Sequence, residues 1–126
     1  MSVKLSREWA AKAEEDFEAA RLLARNKKKR FLNSICFHCQ QSAEKYLKCY
    51  LALKGIRFTK THDLILLKNL CVKKDGSFEL ISDLAISLNP YAVEFRYPGE
   101  HASQKDARHA LTAALEIREF VKKKLK

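Results

Sequence analysis

Apolar residues recur at steps of three and four along most of the chain, the spacing that lines one face of an α-helix. Leu5, Trp9, Ala13, Phe17, Ala20 and Ala24 form one stripe and predict a first helix over residues 6–24, with Glu14, Glu15, Asp16 and Glu18 on its other faces. Ile35, Cys39, Ala43, Tyr46, Tyr50 and Leu53 predict a second helix over residues 31–53, which Gly55 stops. The connector "RNKKKR" at residues 25–30 is short, so the two helices pack antiparallel, each about 30 Å long at 1.5 Å per residue.

Beyond Gly55 the pattern shortens. "THDLILLKNLC" offers Thr61 or Asp63 as a cap ahead of Leu64, Leu67 and Cys71, a short third helix, and "KKDGS" then turns the chain. Phe78, Ile81, Ala85 and Leu88 give a short fourth helix, ended by Asn89-Pro90 because proline restricts the residue before it. After the irregular "YAVEFRYPGEHA", Ser103 is an N-cap with Asp106 three residues on, a capping box with Asp in place of Glu. The last helix turns Ala107, Ala110, Leu111, Ala114, Ile117 and Val121 inward.

The predicted fold is all-α: an antiparallel up-and-down bundle of four to five helices, two long at the N-terminus, two short and one long at the C-terminus. It is expected to form one domain over residues 1–126. Three Gly and two Pro in 126 residues favour helices over a sheet with tight turns, and 47% apolar residues suffice for a core.

Charge adds a candidate class of partner. Twenty-five Lys and Arg against fifteen Asp and Glu give +10, which suits RNA, a nucleotide or an acidic protein surface. The excess sits in residues 25–30, Lys73-Lys74 and the tail "KKKLK", positions that solvated helix ends also favour. The N-terminus turns acidic where a signal peptide needs an apolar stretch, and no run of about 18 apolar residues occurs. A cytoplasmic protein without membrane contact is expected.

Cys36 and Cys39 have the spacing of half a zinc site, but no second pair supplies the other ligands, so buried thiols are expected and neither metal nor cofactor. "FRYPGEH" at residues 95–101 holds the sharpest candidate chemistry. Arg96 is a planar cation suited to phosphate oxygens, and His101, just before the last helix, exchanges protons near neutral pH. Metal-independent RNA cleavage needs a base for the ribose 2′-OH, a cation for charge on phosphorus and an acid for the leaving oxygen. Two copies about a two-fold axis would supply both proton roles. A salt link with Glu94 or Glu100 is the structural alternative for the same residues.

His38, Gln41 and Lys45 repeat along one face of the second helix, with Glu44 beside Gln41 and Lys48. These polar groups either form a hydrogen-bonded network within the bundle or contact nucleotide. His62 and Asp63 either pack and cap the third helix or join that site. Tyr91, Phe95 and Tyr97 either stack RNA bases or cover the end of the bundle.

"FHCQQSAEKYLKCYLALKG", "THDL", "FRYPGEH" and a closing amphipathic helix together resemble the HEPN domain (higher eukaryotes and prokaryotes nucleotide-binding), over residues 9–125. The resemblance implies an all-α bundle, usually a homodimer, often working beside a minimal nucleotidyltransferase in toxin–antitoxin pairs. Ribonuclease members carry Arg, four to six residues, then His, and Arg96 to His101 matches the four-residue form. It therefore implies a metal-independent endoribonuclease using Arg96 and His101 across a dimer cleft; His38, Gln41, Glu44, Lys45, His62 and Tyr97 are the candidate nucleotide- or RNA-binding residues from the chemistry above. The alternative is a non-catalytic nucleotide- or RNA-binding subunit that docks the nucleotidyltransferase. The chain departs from the nuclease pattern at Tyr97-Pro98. It also has Ser103 where a toxin subgroup carries the tyrosine that accepts nucleotides.

Overall fold

A computed structural model describes residues 2–95 and 97–126. Over these residues the chain is all-helical, without a strand: α1 (Val3–Ala24), α2 (Leu32–Leu53), α3 (Leu64–Lys74), α4 (Ser82–Leu88) and α5 (Gln104–Lys124). No helix among the described residues is long and apolar enough to cross a membrane.

α1 begins at Val3, before the expected start at residue 6, because the Ser2 hydroxyl accepts the Leu5 N–H at 2.8 Å. Its buried stripe is Ser6, Ala13, Phe17 and Ala20, while Leu5 is exposed and Trp9 and Ala24 are half-buried. Extended back two turns from Ala13, the stripe meets position 6, and the Ser6 hydroxyl donates to the Cys49 carbonyl at 3.0 Å. α2 lies antiparallel to α1, and Tyr46 and Arg118 both reach Glu14, which sets α5 alongside them.

α2 is the central element, packed against α1, α3 and α5. Five of its six expected apolar positions are buried, Leu53 being half-buried, but so are Gln40, Ser42, Glu44 and Lys48. A helix covered on nearly every side must bury some polar groups, which then need partners.

Asp63 caps α3, its Oδ1 accepting the Ile65 and Leu66 N–H groups at 2.9 and 3.2 Å. The expected turn after α3 is a 3₁₀ segment, Gly76–Ile81, begun by Asp75, whose carboxylate accepts the Ser77 N–H at 3.0 Å. The expected fourth helix is therefore split: Phe78 and Ile81 lie on the 3₁₀ segment, Ala85 and Leu88 on α4, and all four are buried. Asn89-Pro90 ends α4 and opens a second 3₁₀ turn, where proline's missing N–H leaves nothing unpaired. α5 opens with the expected capping box between Ser103 and Asp106.

Phe78 packs between Tyr50 and Phe120, with ring centroids 4.5 and 5.0 Å away. Across α1 and α5, Arg118 holds both oxygens of Glu14, Nε at 2.8 Å and Nη2 at 3.0 Å, and the Tyr46 hydroxyl donates to the same carboxylate. The Arg118 bonds outweigh burial and, helped by Tyr46, lower the Glu14 pKa to about 2.

Candidate functional site

The segment before α5 is built from tight local geometry. Phe95 takes a left-handed backbone, φ 65°, which a bulky side chain rarely adopts, and its ring stacks on Tyr91 at 5.7 Å. Arg96 lies outside the described residues. From Tyr97 the chain turns back: the Glu100 N–H donates to the Tyr97 carbonyl at 3.1 Å, and the Glu100 carboxylate accepts the Tyr97 N–H at 3.2 Å. Gly99 supplies φ 91° within this turn.

Asn33, on the first turn of α2, then fastens the loop. Its Oδ1 accepts the Ala102 N–H at 2.7 Å and its Nδ2 reaches the Glu100 carbonyl at 3.5 Å, so both chain neighbours of His101 are tied to α2. His101 itself is exposed, makes no hydrogen bond or ion pair among the described residues, and lines an open cleft with Arg30, Phe31, Asn33 and Ser34. The salt link with Glu94 or Glu100 weighed for this segment does not form at His101. Tyr97 is also exposed.

At the start of α5 the capping box uses two of the groups that would attract an anion. The Ser103 N–H donates to Asp106 at 2.9 Å, and the Asp106 N–H donates to the Ser103 hydroxyl at 3.0 Å. The Asp106 carboxylate already complements the helix dipole. Positive charge at the cleft comes instead from Arg30, in the basic connector.

The polar residues of α2 divide into two networks. Asp16 of α1 binds His38 Nδ1 at 2.8 Å and Lys45 Nζ at 2.5 Å. Burial opposes ionisation of Asp16, but these two bonds prevail and its pKa is lowered. The second network centres on Glu44, only 2% exposed, which takes Lys48 Nζ at 2.8 Å, His62 Nδ1 at 3.0 Å and the Gln40 and Gln41 amides at 3.4 Å. Gln41 also donates to Gln40 at 2.7 Å, and Gln40 to the His62 carbonyl at 3.0 Å. The Lys48 ammonium lies 5.2 Å from the Trp9 ring and 5.9 Å from Phe58.

Of the candidate residues, His38 and Lys45 share Asp16, while Gln41, Glu44 and His62 share one cluster. Among the described residues no hydrogen bond or ion pair joins either network to His101 or Tyr97. Asn33 and Lys48 carry roles that the sequence pattern did not assign. Lys48 has a local signal, four residues from Glu44, whereas Asn33 has none.

The four cysteines are free and buried. Burial pushes the Cys36 and Cys71 thiols up to about 12 and Cys39 higher still. Among the described residues no group of three or more His, Cys, Asp or Glu side chains could hold a metal ion.

A bundle built around a polar-cored central helix, with a histidine-bearing loop strapped to its start and leading into the last helix, is the class of protein defined here. Sequence comparison places it further: the HEPN domain profile matches residues 6–124, and the chain belongs to the HEPN family. Among solved structures it is similar to an archaeal HEPN homologue, with 26% identity and a TM-score of 0.71 over 96% of this chain and 98% of that one. It is also similar to a protein from Thermus thermophilus, with 25% identity and a TM-score of 0.74 over 94% of this chain and 97% of that one. No curated protein matches it significantly.

Proposed function

We infer that this HEPN protein is a metal-independent endoribonuclease that works as a homodimer, with Arg96 and His101 of two copies around one phosphodiester. The observation that carries the reading is the state of His101. It is an exposed imidazole without a hydrogen-bond or ion-pair partner among the described residues, in a cleft beside a cation, on a loop anchored at both sides by Asn33. The candidates on α2 are less available, since Lys45 and His38 are already engaged by Asp16 and Glu44 is closed in by its own cluster.

In the reaction, one His101 removes the proton of the ribose 2′-OH, whose oxygen attacks the adjacent phosphorus. Arg96 stabilises the charge gathering on the phosphoryl oxygens. The His101 of the second copy protonates the departing 5′ oxygen, leaving a 2′,3′-cyclic phosphate and a 5′-hydroxyl. The cellular role that fits is the toxin half of a pair with a minimal nucleotidyltransferase.

End-group analysis tests the chemistry. Fragments formed in EDTA should carry a 2′,3′-cyclic phosphate and should be absent with Arg96→Ala. Fragments bearing a 3′-hydroxyl and 5′-phosphate would rule the mechanism out.

A further inference from the structure

A second cleft adjoins the one at His101, and Arg30, Phe31 and Leu32 wall both. It lies between the end of α1, the basic connector and the first turns of α5. Leu23, Leu32 and Leu111 contribute apolar surface to it, while Lys27, Arg30 and Arg108 contribute charge, and among the described residues no acidic side chain lines either cleft. Lys27, Arg30 and Arg108 are exposed and make no ion pair among the described residues.

Three such cations around a cleft of mixed polar and apolar lining complement a chain that carries phosphates on one side and flat apolar faces on the other. Single-stranded RNA has that character: its bases can leave the stack for aromatic and apolar side chains while its phosphates meet Lys and Arg. A duplex keeps its bases paired and would leave the cleft unfilled. Phe31 is half-exposed on the wall common to the two clefts, and Lys29 lies 5.2 Å from its ring, adding a fourth cation.

We propose that this cleft is a binding subsite for single-stranded RNA, holding the nucleotide next to the one at His101, with its base against Phe31 and the neighbouring leucines and its phosphate on Arg30 and Arg108. The direction of the strand rests on the nuclease reading of His101. Occupancy of the cleft is measurable without cleavage.

The test uses the full chain carrying His101→Ala, so that RNA survives, and a fluorescein-labelled 12-nucleotide single strand followed by anisotropy from 50 to 300 mM salt. Arg30→Gln with Arg108→Gln should weaken binding at least tenfold and reduce the salt slope by about 0.7, the share of the one phosphate they hold. Phe31→Leu keeps apolar bulk but loses the flat ring, and should weaken binding about fivefold at unchanged slope. Lys73→Gln with Lys74→Gln removes the same charge from the C-terminal end of α3 and should change affinity less than twofold. Equal losses from the two charge pairs, tighter binding of a duplex, or full binding by a folded Arg30→Gln/Arg108→Gln protein would each overturn the proposal. If RNA binds through this cleft while the His101-intact protein cleaves nothing, the nuclease reading falls and the subsite stands. If cleavage depends on His101 but its KM ignores the cleft variants, the reverse holds.

Discussion

Lys48→Met is the substitution that probes the buried core of α2 most sharply. Glu44 is 2% exposed and Lys48 6%, and they meet at 2.8 Å. Methionine keeps nearly all of the apolar stem, so packing against Trp9 and Phe58 is largely preserved and the change isolates the charge. Removing one partner of a buried ion pair costs about 3–5 kcal/mol, because the remaining charge is stranded away from water. Here His62 at 3.0 Å and two amides at 3.4 Å still face Glu44, which places the expected loss near the lower end, about 3 kcal/mol. Loss of the ammonium over the two rings adds about 0.5–1 kcal/mol. Urea unfolding at pH 7, analysed by linear extrapolation, measures the difference. Adding Glu44→Gln to Lys48→Met removes the stranded charge and should restore stability to within about 1.5 kcal/mol of the parent. A loss below about 1 kcal/mol for Lys48→Met, or a double variant no more stable than the single one, would refute this reasoning.

Three further outcomes follow from the same geometry. Arg118→Gln removes the clasp on Glu14 and should cost about 1–2 kcal/mol at pH 7, the partly solvated carboxylate keeping the loss small. Because folding lowers the Glu14 pKa from 4.5 to about 2, the clasp contributes fully above pH 4.5 and is lost as pH falls toward 2. The gap between parent and variant in urea midpoints should close over that window. Asn33→Ala frees the Ala102 N–H and should cost about 1 kcal/mol in thermal unfolding; under the proposed function it should also lower the single-turnover cleavage rate while the pH profile keeps its shape. Ellman's reagent should find no thiol reacting within minutes in the native protein and all four after denaturation, since burial keeps the cysteines protonated.

The bundle was legible in the sequence because the 3.6-residue period is a property of the helix itself, and Ser103, Asp106 and Asp63 mark their helix starts by local hydrogen bonds. The period was ambiguous by one position in the first turn of α1, where Leu5 looked apolar enough to be buried but Ser6 faces the neighbour. For α2 the apolar stripe understated burial, since a central helix hides its polar side chains too. The 3₁₀ segment after α3 depends on how Asp75 bonds Ser77, a geometric detail that composition does not encode. His101 was placed at the start of α5 by chain order alone. Its anchor, Asn33, lies 69 positions from the Ala102 N–H that it accepts, and no periodicity links residues so far apart.

Cleavage of a single-stranded RNA by the purified protein in EDTA, timed under single-turnover conditions for the parent and for His101→Ala, tests the proposed nuclease role of this loop most directly. Loss of the proton-transfer group should slow the reaction by at least about 10²-fold while RNA affinity stays within a few fold. Equal rates for the two proteins, or activity that vanishes from the parent once EDTA is added, would contradict it.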